Sequence, residues 1–145
     1  MRDLLLAIRS ELQGSDYLSY IRDENIIVTE FEGYPLKATK LPLITIKDHG
    51  SINDQQLTKR YYQTSRVAIT IFNRVLEIGD VANSGGILKI EEDVFNELID
   101  NKLNISDVTN AFPIIQEPTK NIIRGKDIIS YKRIIFEYTR YKNWN

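Results

Sequence analysis

Apolar residues recur at helical spacing in two segments of the chain. Residues 4–12 carry Leu and Ile three or four positions apart with polar residues between them, which predicts an amphipathic opening helix. Turn-forming residues at 14–16 are expected to end it. Residues 87–98 repeat the pattern and predict a second helix, which we expect to end at Asn104.

Alternating and β-branched runs predict strands between and after these helices. They cover residues 26–31, 43–46, 66–78, 108–116 and 127–141. The run 66–78 is apolar on both faces, which indicates a strand near the middle of a sheet. Pro113 interrupts 108–116 and predicts an edge or bulged strand. We therefore predict an α+β fold in which a mostly antiparallel sheet is flanked by the first helix and by a second helix before the last strands.

Polar segments separate these runs. The composition of residues 48–51 predicts a turn. The segment at about 52–63 is interpreted as an exposed loop or a hairpin arm, and residues 118–126 as a basic loop. The run 127–141 has an apolar face and an amphipathic face that suits a subunit contact. The amphipathic face consists of Tyr131, Arg133, Ile135, Glu137 and Thr139.

Composition narrows the functional classes. The 145 residues fit one domain, 1–145, and 19 basic against 20 acidic side chains give a net charge of −1, which offers no general attraction to nucleic acid or membrane. The chain has no Cys, no apolar run near the roughly 18 residues of a membrane span, and an N-terminal apolar stretch too short for a signal peptide. A protein made and used in the cytosol is expected.

Candidate chemistry is sparse, so we predict a protein that is not an enzyme and has no catalytic residue, metal site or cofactor. His49 is the one imidazole, and no Ser or second His is placed to complete a relay with it. The Ser and two Gly at 84–86 lack the residues of a phosphate loop. The acidic run 91–93 is expected to be a solvated first helical turn, because consecutive helical residues cannot converge on one ion.

Two segments combine chemistry suited to binding. Arg60, Tyr61 and Tyr62 lie on the polar arm, and Tyr and Arg are common anchors of protein interfaces; a solvated arm is the alternative. The loop that holds Lys120, Arg124 and Lys126 suits a phosphate backbone or an acidic protein surface, with a solvated hairpin loop as the alternative. The complete set predicted for a subunit interface is Arg60, Tyr61, Tyr62, Tyr131, Arg133 and Glu137.

The length, the Leu-rich first helix, the strands at 41–46 and 67–71, and the helix ahead of a closing pair of strands together resemble tail terminator (tail completion) proteins of long-tailed bacteriophages. This resemblance spans most of the chain and implies a homo-oligomeric ring, a hexamer, that caps the tail tube and joins it to the head connector. DNA would pass through the pore without sequence specificity, facing Lys120, Arg124 and Lys126. The resemblance also implies a place in the virion tail after assembly in the host cytoplasm.

Two alternatives remain at the level of sequence. One is another head–tail joining protein or a tube protein, which would also form rings. The other is a small ligand-binding or enzyme domain, which would need a pocket with converging polar groups.

Overall fold

Two helices and six strands form the described part of the protein. The computed structural model describes residues 1–31, 33, 40–57, 59–75 and 86–143. The helices are α1 (Arg2–Gln13) and α2 (Ile87–Leu98), with short 3-10 turns at Asp16–Leu18 and Asp23–Asn25. The strands are β1 (Ile26–Val28), β2 (Leu43–Leu57), β3 (Arg60–Val75), β4 (Val108–Gln116), β5 (Lys120–Arg124) and β6 (Asp127–Asn143).

All six strands belong to one sheet. Its order is β1-β2-β3-β6-β4, and β5 pairs with β6 off this path. Only the β1–β2 pairing is parallel among the described strands; the others are antiparallel. These findings confirm the predicted α+β class and the central position of β3. They also confirm β4 as a bulged edge strand, since its register shifts between Pro113 and Ile115.

Both helices cover one face of the sheet, which we name the inner face; the opposite face is the outer face. α1 packs over β1 and β2, and α2 packs over β3, β6 and β4. Because strand side chains alternate, odd positions of β3 and even positions of β6 point inward. The buried residues that join helices and sheet include Leu4, Ile8, Ile90, Val94, Val67, Ile69, Ile71, Ile134, Phe136 and Tyr138. The predicted apolar stripes of both helices and the core face of β6 are thereby confirmed.

A second, smaller apolar cluster lies on the outer face. Leu43, Phe72 and Ile129 are buried there, and half-buried Ile122 and Tyr131 pack against them. The ring of Phe72 stacks on that of Tyr131 with centroids 5.7 Å apart. One end of the outer face therefore has its own core.

The turn predicted at 48–51 was wrong, because β2 continues through these residues with a shift of register between Asp48 and Ser51. Gly50 adopts a left-handed φ of 93°, and a carboxylate oxygen of Asp48 accepts a hydrogen bond of 2.7 Å from its backbone nitrogen. The residues that predicted a turn therefore form a β-bulge within β2. The residues that follow, 52–57, pair with residues 60–64 of β3, so they are strand residues and form a hairpin with β3.

Further boundaries also differ from the prediction. β1 ends at Val28 rather than residue 31, where the backbone nitrogen of Phe31 turns to the Thr29 hydroxyl at 3.1 Å. α2 ends at Leu98 rather than Asn104, since Ile99 is already extended with a ψ of 130°. The basic loop at 118–126 contains β5, which pairs with β6 across a two-residue turn that begins at Gly125 with a φ of 62°. Positions 76–78 of the predicted strand lie outside the described residues.

Candidate assembly surface on the outer face of the sheet

Strand alternation places five of the six predicted interface residues on the outer face. Even positions of β3 and odd positions of β6 point outward, because the alternate positions, such as Val67 and Phe136, lie in the core beneath the helices. The five residues are Arg60, Tyr62, Tyr131, Arg133 and Glu137. Tyr61 is the exception: it pairs with Lys142 and points to the inner side of β3.

Ion pairs order the arginines of this face. The Nε of Arg66 donates to an oxygen of Glu137 at 3.2 Å, and the Nε of Arg133 donates to Glu117. The ammonium of Lys120 lies 3.8 Å from the same Glu117 carboxylate. All of these side chains are partly exposed, so the pairs fix side-chain orientation and add little stability.

Aromatic contacts hold the far end of the face, where β3 begins and β6 ends. The rings of Tyr62 and Tyr141 lie 4.9 Å apart, centroid to centroid. The guanidinium of Arg60 lies 5.9 Å from the Tyr141 ring centroid and donates to the Tyr141 hydroxyl at 3.4 Å. Arginine stacked on tyrosine is a preorganised binding element, since little side-chain freedom is left to lose on contact.

Exposed apolar side chains also lie on the outer face, in two groups on either side of the Arg66–Glu137 pair. They come from β2, β3 and β4, and their exposed fractions are 65% for Ile52, 39% for Tyr62, 50% for Phe112 and 47% for Ile115. Cross-strand pairing places Ile52 opposite Thr64, Phe112 opposite Glu137 and Ile115 opposite Ile135. Apolar side chains mixed with arginines have the composition of a protein interface.

Sequence reasoning missed Ile52, Phe112 and Ile115, as well as Arg66 and Tyr141 as members of this surface. The signal that would have found them is the continuity of β3. If residues 60–75 are read as one strand, every even position shares a face with Phe72. The bulges in β2 and β4 then determine which residues of the neighbouring strands join that face.

The amphipathic face of β6, which was predicted to suit a subunit contact, is half-buried. Ile135 is only 2% exposed, and Tyr131, Arg133, Glu137 and Thr139 are intermediate. The reason is that β4 and β5 flank β6 along its length and their side chains crowd the face. A shallow cavity of about 170 Å³ remains beside Tyr131 and Arg133, lined also by Thr70, Glu117, Pro118 and Lys120.

The predicted DNA-facing residues lie on the β5–β6 hairpin. Lys120 pairs with Tyr131 on the outer face, Arg124 pairs with Asp127, and Lys126 is exposed in the turn. The β3–β6 pairing runs from Arg60 and Asn143 to Val75 and Ile128. At about 3.3 Å per residue, the hairpin turn and Arg60 are therefore roughly 50 Å apart along the strands.

A charged cluster closes the inner face near the start of α1. Arg140 of β6 is 2% exposed and binds two carboxylates. Its Nη1 and Nη2 donate to Asp3 at 3.0 and 2.7 Å, and its Nε donates to Asp107 at 3.1 Å. The hydrogen bond from Arg140 holds the pKa of Asp3 well below its ordinary value, while the pKa of Arg140 is raised.

The acidic run of α2 was expected to be solvated, and this was wrong for two of its three residues. Glu91 and Asp93 are buried. Lys132 of β6 lies 2.8 Å from Glu91, and Lys89 lies 2.8 Å from Asp93. The Tyr20 hydroxyl also donates to Asp93 at 2.7 Å; burial and this carboxylate together raise the Tyr20 pKa. These carboxylates attach α2 to the sheet and to the segment after the first 3-10 turn.

Acidic residues also meet where α1, α2 and the first 3-10 turn come together. Glu97 accepts a hydrogen bond of 3.1 Å from the Ser15 hydroxyl and lies near Glu11 and Asp16. Burial, with the neighbouring carboxylates, raises the pKa of Glu97. Asn101 bridges the region by donating to Glu11 at 2.8 Å. The helix-side surface is thus acidic.

Within the part of the chain that the structure describes, no group of three or more His, Asp and Glu side chains is arranged to hold a metal ion. His49 is exposed in β2. Over the same described ranges, no helix has the length and apolar character needed to cross a membrane.

The fold is similar to that of a chain in the virion of a native gene transfer agent particle, with a TM-score of 0.65. The two chains are 11% identical, and the match covers 95% of this chain and 94% of the other. At this identity the match establishes a shared fold. No protein family and no curated protein matches the sequence.

Proposed function

We propose that the protein is a structural component of a virion, and within it a tail terminator. The observation that carries this proposal is the nearly complete overlap of its fold with a chain of a gene transfer agent virion, 95% of one chain and 94% of the other. The sequence resemblance to tail terminator proteins points to the same class of role. A virion subunit needs extended contact surfaces, and the outer face supplies one.

In this role, copies of the chain form a ring, a hexamer in the proposed form, on the last ring of tail-tube subunits. The ring stops tube growth and offers its other side to the head connector. The β5–β6 hairpin carries Lys120, Arg124 and Lys126 at one end of the sheet. If that end borders the pore, these cations meet the phosphates of passing DNA without reading its sequence.

The test is light-scattering mass across a concentration series, with negative-stain microscopy of the same samples and of samples mixed with purified tail tubes. We expect closed rings of one size with a central pore, and single rings at the ends of tubes. Open-ended stacks would instead identify a tube protein. Rings that bind the connector and ignore the tube would identify another joining protein. Failure to bind any tail or neck component overturns a virion role.

A further inference from the structure

The charges of this nearly neutral chain are separated between its two layers. Residues 1–24 and 86–107, which hold both helices, carry eleven acidic and five basic side chains. The strand segments 43–57, 60–75 and 108–143 carry eleven basic and five acidic side chains. Arg140 and Lys132 of the strands reach inward and offset Asp3, Asp107 and Glu91, and the remaining charges keep the same polarity.

Each layer also exposes apolar side chains among its charges. On the outer face these are Ile52, Tyr62, Phe112 and Ile115. The helix-side surface exposes Tyr17, Tyr20, Leu88 and Ile99. Exposed acidic residues accompany them, including Asp16 and Glu92. The two surfaces therefore match in kind, apolar patches with charged borders, and are opposite in sign.

We propose that the outer face of one copy binds the helix-side surface of the next copy. This inference rests on the proposed ring, and it names the two surfaces that meet. Such a contact is heterologous, and a heterologous contact closes into a ring when its rotation closes on itself. Pairing two outer faces would instead bring together two surfaces that are both net basic, and like charges across an interface are unfavourable.

Two charge-reversed variants test the pairing. The sheet variant carries Arg60→Glu and Arg66→Glu, and the helix variant carries Asp16→Lys and Glu92→Lys. All four positions are wholly or partly exposed. In the sheet variant a carboxylate at position 66 lies opposite Glu137, and like charges directly opposite in a sheet are only mildly destabilising when solvent reaches them. Circular dichroism and thermal melts of both variants confirm that they fold.

Each variant alone should associate at least about tenfold more weakly than the natural protein by sedimentation velocity, a loss of about 1.4 kcal/mol. An equimolar mixture should associate again, because the two variants alternate: each reversed sheet meets a reversed helix surface, and each natural sheet meets a natural helix surface. A helix variant that assembles alone as the natural protein does overturns the inference, as does a mixture that stays dissociated.

Cysteine trapping covers the case in which the free protein associates weakly. The natural chain has no Cys, so Thr139→Cys on the outer face and Asn96→Cys on α2 are the sole thiols. Oxidation of the double variant at roughly 1 mM should give a ladder of multimers, while each single variant should stay monomeric. Dimers from Thr139→Cys alone, or no ladder from the double variant, overturn the pairing. Binding of the natural protein to tube ends is measured in a separate experiment. The virion role can therefore be rejected or retained independently of this pairing of surfaces.

Discussion

The two faces of the sheet use the same residue type in opposite ways. Arg140 on the inner face is buried between Asp3 and Asp107, whereas Arg66 and Arg133 on the outer face are partly exposed and each pairs with one carboxylate. The buried arginine contributes to folding, because its charge needs both partners once water is excluded. The ion pairs of the outer arginines add little to folding stability, because these side chains are partly exposed. They can therefore contact another chain without a large loss of stability.

The largest expected effect comes from leaving the buried charge without partners. Asp3→Asn combined with Asp107→Asn should lower the free energy of unfolding by about 3–5 kcal/mol, because Arg140 stays buried and uncompensated. Urea unfolding at neutral pH measures this loss of stability.

Arg140→Met should lower the stability less, since Asp3 is half-exposed and can be hydrated. On the outer face, Glu117→Gln with Glu137→Gln should cost below about 1 kcal/mol. Equal losses on both faces would contradict the comparison.

Apolar truncation should show the same contrast. Ile134→Ala on the inner face should cost about 2–5 kcal/mol, because the residue is fully buried and the side chain leaves a cavity. Ile115→Ala on the outer face should stay within about 0.5 kcal/mol, since about half of the Ile115 side chain is already exposed. Thermal and urea unfolding of the two variants in parallel provide the measurement. A large loss of stability for Ile115→Ala would mean that this side chain belongs to the folding core.

Self-association, unlike stability, should be more sensitive to changes on the outer face than to changes on the inner face. Phe112→Ser should weaken self-association by about tenfold or more and leave the unfolding transition nearly unchanged, because buried aromatic side chains dominate the energy of protein interfaces. Sedimentation velocity with a parallel melt tests both halves. Thr109→Ala, in the same strand, is the matched control and should leave association unchanged. A drop in melting temperature without a change in association would remove Phe112 from the proposed surface.

The smallest effect is a slight rise in stability on mild acidification, and two carboxylates of the helices affect the pH dependence with opposite sign. The pKa of Asp3 is lowered from an ordinary 3.8, so its stabilisation is complete above that value and is lost as the pH falls below it. The pKa of Glu97 is raised from an ordinary 4.5, so its protonation relieves a penalty as the pH falls towards that value. Stability should therefore rise slightly on mild acidification and then fall.

Glu97→Gln isolates the second contribution. The amide oxygen can still accept from Ser15, so the variant should be more stable than the natural protein at pH 7 and should lack the slight rise on mild acidification. A urea-unfolding series across pH measures both features. Retention of the rise in this variant would assign it to another group.

The sequence predicted the elements whose signal is local. The period of α1, the apolar run of β3 and the two faces of β6 were all readable because side-chain burial repeats with the period of the backbone. It failed for β2 beyond Ile46 and for β5, whose compositions are largely polar. These segments are strands because β3 and β6 offer them paired hydrogen-bonding edges, and that partner lies outside any local window.

The surface was predicted in part for the same reason. Arg60, Tyr62, Tyr131, Arg133 and Glu137 were named from residue type, and strand pairing brought them onto one face. The exposed apolar residues Ile52, Phe112 and Ile115 were missed, because they lie on β2 and β4 and the face that they join depends on the bulges in those strands. Residue type suggested that an interface exists, and strand register determined which residues belong to it.

By itself, the sequence determined that Arg133 and Arg140 point to opposite faces of their strand, because they are seven residues apart and side chains alternate. Only the tertiary structure decided which of them is buried. The helices cover the inner face, and Asp3, 137 residues away along the chain, reaches Arg140 there. Alternation is a property of the local backbone, whereas burial and charge pairing depend on which distant segments fold against it.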